Sequence, residues 1–308
     1  MDKFENPDVV IIGGGPAGLQ AAMTFARIHR TAVVLDSGSY RNERAAHMHN
    51  VSGHDGTPPA EWRADARGEL AAYDTVQLRR AEATRVCEED GTFTVTTGDG
   101  AALTSRAVVL ATGVRDVLPD VPGLAELWGS VGFVCPFCHG HELSGRTVVV
   151  QGGPSMAHAA SMMARIAGEI VVVTDGYEPD LDAIEVFKSL GARVVEARVA
   201  RLGATGEGAT VTLDSGEVVV ADGFMVRGAF EQAAPFADQL GLDLRPSGCV
   251  EVDAFGRTSR TGVYAAGDLA HTAALPMPMA SVVQAAAAGQ LAASAAVMDL
   301  LAADRPGA

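Results

Sequence analysis

The sequence predicts an α/β protein of two three-layer (ββα) domains, one of them interrupted by the other. Three observations carry this. Residues 9–36 and residues 147–173 each read strand, glycine-containing turn, helix, strand, which is a βαβ unit. Residues 262–268 read as a further strand and turn that come back to the first unit only near the C-terminus. The first domain is therefore expected to be discontinuous, residues 1–115 with 245–308, and the second to be inserted over residues 116–244.

Composition agrees with that size and class. The 308 residues suffice for two domains with real cores, and 48% hydrophobic against 20% charged is a globular balance. A formal net charge of -15 argues against nucleic acid or an anionic membrane as a partner. No apolar run is read as long enough to span a bilayer. The start, Met1-Asp2-Lys3-Phe4-Glu5-Asn6-Pro7-Asp8, lacks the basic-then-apolar layout of a signal peptide, so a cytoplasmic location is expected. Four cysteines do not make a disulfide scaffold, and in a reducing compartment a close pair more often does chemistry. Cys87 and Cys249 stand alone and read as small buried hydrophobes.

The elements follow in order. Val9-Val10-Ile11-Ile12 is a β-branched run suited to a strand buried on both faces. Gly13-Gly14-Gly15-Pro16-Ala17-Gly18 is the turn, a helix runs from Leu19 to about Arg27, and Ala32-Val33-Val34-Leu35-Asp36 is the next strand. Residues 80–112 hold several short strands, the last ending at Ala111-Thr112-Gly113. Residues 118–123 and 244–248, rich in Pro and Gly, are read as the hinges between domains. The second unit runs from Thr147-Val148-Val149-Val150 through Gln151-Gly152-Gly153-Pro154 and a helix to about Ala167, then returns on Ile170-Val171-Val172-Val173. Gly262-Val263-Tyr264-Ala265-Ala266-Gly267-Asp268 leads into an alanine-rich helix from about Met279 to Leu301.

Gly13-x-Gly15-x-x-Gly18 after a strand and opening a helix is a Rossmann-like dinucleotide fingerprint. Gly13 permits the tight turn, Gly15 lets backbone approach a pyrophosphate, and Gly18 lets helix and strand pack closely. Pro16 and Ala17 start the helix, whose free N–H groups and dipole favour phosphate. Asp36, ending the second strand, is placed to accept hydrogen bonds from a ribose.

Together with this fingerprint, Ala111-Thr112-Gly113 and the segment ending Gly267-Asp268 resemble the FAD-binding elements of the two-dinucleotide-domain flavoproteins. The resemblance implies FAD, with Asp268 at its ribityl or phosphate region and the long C-terminal helix beginning near the flavin. It also implies that Asn50, with Arg41, His47, His49 and the Gly56-Thr57-Pro58-Pro59 turn, belongs to the first domain and approaches the isoalloxazine, although a structured surface loop would explain these residues equally well.

Val134-Cys135-Pro136-Phe137-Cys138-His139-Gly140-His141-Glu142 is the sharpest chemical signal. Two intervening residues allow a small-ring disulfide whose surroundings tune one thiol. Zinc would need a second ligand pair that Cys87 and Cys249 do not provide, so no metal site is expected. The chain resembles the low-molecular-weight thioredoxin reductases over essentially its whole length. That likeness implies that Cys138 faces the flavin and Cys135 meets the substrate. His139 stands where those enzymes carry an acid that moves protons. An imidazole can take a proton from a thiol at neutral pH, and His141 is the other candidate for this role; Glu142 reads rather as structural.

The second unit departs from the reductase pattern. Gln151 replaces the tight-turn glycine, Met156 stands where close packing is needed, and Thr174-Asp175-Gly176 replaces the basic cluster for a 2′-phosphate. Asp175 could still bond an NADH ribose, but a degenerate domain kept for architecture is the expectation. The Cys-Pro-aromatic-Cys-His-Gly pattern resembles the dithiol oxidases that close disulfides in natural products such as gliotoxin, holomycin and romidepsin. That resemblance implies a small-molecule dithiol substrate, with O2 as the acceptor and hydrogen peroxide as the product. It also implies a homodimer. The alternative is a reductase fed by NADH, NADPH or ferredoxin. The particular dithiol is not legible in the residues.

Overall fold

Short β-branched strands whose successive side chains enter different cores build both parallel sheets, as a period of two requires. The computed structural model describes residues 4–305. The chain divides into two compact units: residues up to Arg41, Ala60–Arg115 and from Phe230 onward form one, and Asn42–Pro59 with Asp116–Ala229 form the other.

In the first unit a five-stranded parallel sheet runs in the order Val263–Ala265, Ala107–Leu110, Val9–Ile12, Ala32–Asp36, Val76–Arg80. Val9 and Ile11 point into a core shared with the helices Pro16–Arg27 and Val282–Ala303. Val10 and Ile12 point the other way, into a core closed by the antiparallel strands Ala83–Glu89, Thr92–Thr97 and Ala102–Ser105. The result is sheet, sheet and helix layers. The second unit repeats the plan. Its parallel sheet includes Thr147–Gln151 and Glu169–Val173, with Val149, Val171 and Val173 facing the antiparallel strands 199–221. Val148, Val150 and Val172 face the helices Met156–Met163 and Leu181–Leu190.

Three readings of the sequence are corrected. The chain returns to the first unit at Phe230, not 245. Phe230–Gln232 pairs with Val114–Asp116, and the short helix Phe236–Leu240 buries Phe236, Ala237 and Leu240 in the first unit's core. Residues 244–248 are accordingly a tight turn inside that unit, closed by Arg245 N–H donating to the Cys249 carbonyl at 2.8 Å. Second, residues 42–59, expected in the first domain, are grouped with the second unit. Third, Val282–Ala303 is long and apolar enough, by length and composition, to cross a membrane. Alanine repeats with Asp299 as the sole charge disguise that run. Its buried face, Ala285 to Leu300, packs in the first unit's core against the glycine-turn helix. The helix starts at Val282 because the Ser281 hydroxyl caps it, accepting from Gln284 N–H at 3.1 Å.

Candidate active site and cofactor cradle

The first unit assembles the glycine turn as its spacing requires. Gly13 has φ +118, and a Cβ there would lie 2.2 Å from the Ala111 carbonyl oxygen. A Cβ on Gly18 would lie 1.8 Å from the Gly13 carbonyl oxygen, so only glycine permits the helix to sit this close. In front of Gly15 there is open space: a Cβ would meet nothing within 4 Å. Pro16 opens the helix, and the first-turn N–H groups lack helical partners by geometry. Ala111, Thr112 and Gly113 lie beside this turn, with Ala111 N–H donating to the Ile12 carbonyl at 2.8 Å. Gly267 comes to the same place, its Cβ position 3.1 Å from the Ala17 methyl. Sequence reasoning missed Gly289, where a Cβ would strike the Ala17 carbonyl oxygen at 2.1 Å; a mid-helix glycine among alanines gives no local signal.

Asp36 lies against this turn; a Cβ on Gly14 would touch its carboxylate at 2.3 Å. The carboxylate accepts from Gly38 N–H at 2.9 Å, the Tyr40 hydroxyl at 2.6 Å and Arg67 at 2.5 Å. Burial alone would raise its pKa, but these donors outweigh burial and hold it below the usual carboxylate value. An ionised carboxylate has about four acceptor positions, so one remains for a ribose hydroxyl. Arg63 lies over the Tyr40 ring at 3.8 Å. Tyr40 and Arg67 were not anticipated because a helix some thirty residues along supplies the arginine. Asp268 pairs with Arg41 at 2.8 Å, and a cavity of about 200 Å³ opens beside Gly267, Asp268 and Ala285. Cys249, buried as expected, donates its thiol to the Asp268 carbonyl at 3.5 Å, and burial pushes that thiol up. Cys87, read the same way, is only half-buried in its strand.

These groups fit FAD. The space before Gly15 and the helix start suit its pyrophosphate, Asp36 its ribose, and Asp268 with Arg41 the next polar stretch. Asn50 does not join them within the first unit: it belongs to residues 42–59, holds φ +60, and its N–H donates to Asp55 at 2.7 Å.

The second unit carries the redox segment. Cys135 and Cys138 are joined in a disulfide with Cα atoms 5.3 Å apart, within the ordinary range. Pro136 starts a single helical turn in which Cys138 and His139 N–H both donate to the Cys135 carbonyl, at 3.1 and 3.2 Å. Phe137, between the cysteines, is 66% exposed. His139 stacks on Phe133 with ring centroids 5.7 Å apart. Its Nδ1 is buried with no hydrogen-bond partner. Burial lowers its pKa, and the Gly129 carbonyl and Glu142 only partly offset that. Burial thus favours the neutral form of His139. His141 lies exposed in the following 3-10 turn. Glu142 and His49 face each other at 3.5 Å.

The second glycine turn is closed by its own residues. The Gln151 side chain, 2% exposed, donates to Asp175 at 2.8 Å and accepts from Arg227 N–H at 3.1 Å. Val199 N–H donates to the other Asp175 oxygen at 2.9 Å, so one position on each carboxylate oxygen is taken by the fold. Met156 is buried in the core. A cavity of about 420 Å³ nevertheless adjoins Asp175, lined also by Tyr177, Arg198 and Arg227. These two arginines lie far along the chain from the second strand, and the spacing did not reveal them.

A glycine cradle suited to FAD in one unit and a Cys-x-x-Cys disulfide in the other define a flavin-dependent disulfide oxidoreductase. Residues 7–290 match the pyridine nucleotide-disulphide oxidoreductase family, and the chain belongs to that family, as a thioredoxin reductase-like FAD flavoprotein. It is 35% identical to "Thioredoxin reductase tcpT" of Claviceps purpurea, covering 95% of each chain. Among solved structures it resembles an oxidoreductase from Agrobacterium tumefaciens, with TM-score 0.88 and 32% identity over 96% of this chain and 99% of that one. It also resembles HlmI, with TM-score 0.89 and 33% identity over 97% and 94%.

Proposed function

We propose that the protein is a dithiol oxidase that closes an intramolecular disulfide in a small-molecule dithiol of natural-product type, with O2 as final acceptor and hydrogen peroxide as product. The observation that supports the direction is the second glycine turn, where the buried Gln151 side chain stands in place of the tight-turn glycine and, with Val199 N–H, binds Asp175. A nicotinamide donor finds no free turn there, so electrons are taken to enter from the dithiol.

The residues supply the steps. His139, next to Cys138, takes the proton from a substrate thiol. The thiolate attacks Cys135 Sγ, a substrate–Cys135 bond forms, the Cys135–Cys138 bond breaks, and Cys138 leaves as thiolate. The second substrate thiol displaces Cys135 and releases the cyclic disulfide. Re-forming the Cys135–Cys138 disulfide gives up two electrons. FAD, when bound, supplies the two-electron acceptor that can hand the pair to O2. His139 is preferred to His141 as the base because it directly follows Cys138 and burial favours its neutral form. A homodimer in the cytoplasm completes the proposal; the family resemblance supports the dimer.

A reductase fed by a nicotinamide nucleotide is the second reading, and the cavity lined by Arg198 and Arg227 favours it. Mixing the yellow holoenzyme anaerobically with a small dithiol, NADH or NADPH separates the two. Bleaching by the dithiol alone, followed by peroxide on admitting air, is expected, and Cys138→Ser should abolish it. Rapid bleaching by NADPH would overturn the oxidase assignment.

A further inference from the structure

The phenylalanines of this chain are mostly core residues: Phe25, Phe93, Phe133, Phe187, Phe224 and Phe236 are each 2% exposed or less. Phe137 is the opposite extreme, the most exposed phenylalanine among the described residues. Phe255, the next most exposed, carries the Arg257 guanidinium 5.6 Å from its ring. No aromatic or cationic side chain among the described residues stacks on Phe137. Its apolar surface is thus left to water, where it gains nothing for the fold.

The local backbone holds this bare ring at the redox pair. Phe137 lies inside the helical turn Pro136–His139, whose shape is fixed by the Cys138 and His139 N–H groups donating to the Cys135 carbonyl. His139 is two residues on, about 200° around such a turn, and stacks on the buried Phe133. With that side turned inward, Phe137 is turned outward. One peptide step separates it from Cys138 and two from Cys135, and none of the described peptide bonds is cis. Its Cα therefore lies within about 7.6 Å of the Cys135 Cα. A thiolate that reaches Cys135 Sγ must bring the atoms behind its sulfur within a side chain's length of the ring.

We propose that Phe137 is a specificity residue, whose ring packs against a flat, apolar body of the dithiol and selects substrates that carry their two thiols on a ring system. The inference rests on the oxidase reading and narrows its substrate class. No bond forms or breaks at Phe137, and no proton or electron passes through it. The contact is the same before and during attack on Cys135, so it lowers KM and leaves kcat as it is. A short polar dithiol has no face to offer and gains nothing from it.

The test is steady-state oxygen uptake by the holoenzyme with two probes. One is ortho-benzenedimethanethiol, whose thiols flank an aromatic ring, and the other is dithiothreitol, which has no ring. The wild type should prefer the aromatic probe in kcat/KM. Phe137→Ala should raise KM for that probe about tenfold, the size of one aromatic contact. Its kcat, and both constants for dithiothreitol, should stay at wild-type values. Phe137→Tyr keeps the ring face and should keep the wild-type preference. A merely structural role would move both probes together, so the split between them is diagnostic. A preference unchanged in Phe137→Ala, or lost equally in Phe137→Tyr, overturns the role of Phe137 and leaves the oxidase reading standing. Anaerobic flavin bleaching of the wild type by each probe is measured alongside. If neither bleaches it, the oxidase reading fails and the role of Phe137 with it.

Discussion

Replacing Gly18 by alanine would place a methyl carbon 1.8 Å from the Gly13 carbonyl oxygen and 3.4 Å from the Ala111 methyl. Non-bonded atoms settle near ~3.5 Å, so the helix start would have to withdraw from the turn by on the order of 1.5 Å. The obstructing atom is backbone, held by the strand Val9–Ile12, and cannot swing aside as a side-chain end would. Overpacking of this kind costs about 1–3 kcal/mol, which exceeds the roughly 1 kcal/mol that alanine gains over glycine inside a helix. The same withdrawal carries the first-turn N–H groups away from the pyrophosphate position. If the strain is expressed on binding, FAD affinity should fall by roughly 5- to 150-fold, since about 1.4 kcal/mol is a factor of ten. Titration of the deflavinated variant with FAD, followed by flavin fluorescence, measures this directly, and a thermal melt reads the accompanying loss of stability. An unchanged Kd with an unchanged Tm would refute the close-approach reasoning.

Two further outcomes concern the remainder of the fold. Gln151→Ala should lower the Tm, because it strips a partner from Asp175 and from the Arg227 N–H, two part-buried bonds worth about 0.5–1.5 kcal/mol each; it should not by itself confer bleaching by NADPH, and if it did, Gln151 alone would be the barrier. Asp299 accepts two hydrogen bonds from Arg257 and one from the Tyr264 hydroxyl, at 2.8, 2.8 and 2.7 Å. The Arg257 bonds chiefly hold its carboxyl below the usual range, and burial with the Asp299 bond pushes the Tyr264 phenol well up. A depressed carboxyl stabilises the fold above its unfolded pKa and loses that contribution as pH falls through the folded one. Asp299→Asn should therefore cost about 1–2 kcal/mol at neutral pH, after allowing for its partial exposure, and the gap in Tm should begin to shrink only below about pH 3.9 and close as pH falls through the depressed folded value. A gap that persists in acid would mean that shape rather than charge holds the helix.

The βαβ units, the glycine turns, the sheet-and-helix layering and the Cys135–Cys138 pair were legible in the residues, because each depends on periodicity or spacing within some thirty positions. Asp36 and Asp268 could be singled out by spacing, but not the Tyr40 and Arg67 groups that bond the first, nor the pairing of Arg41 with the second, since those donors arrive from other segments. The difference between His139 and His141 was not legible either: two residues apart in sequence, one is buried against Phe133 and the other lies exposed. Likewise only packing could assign residues 42–59 to the unit that carries the disulfide, or return the chain to the first unit at Phe230. Local propensity and spacing act between neighbours along the chain. Which distant groups share a core or a carboxylate is decided by burial and hydrogen-bond satisfaction over the whole fold, and those are properties of the tertiary structure alone.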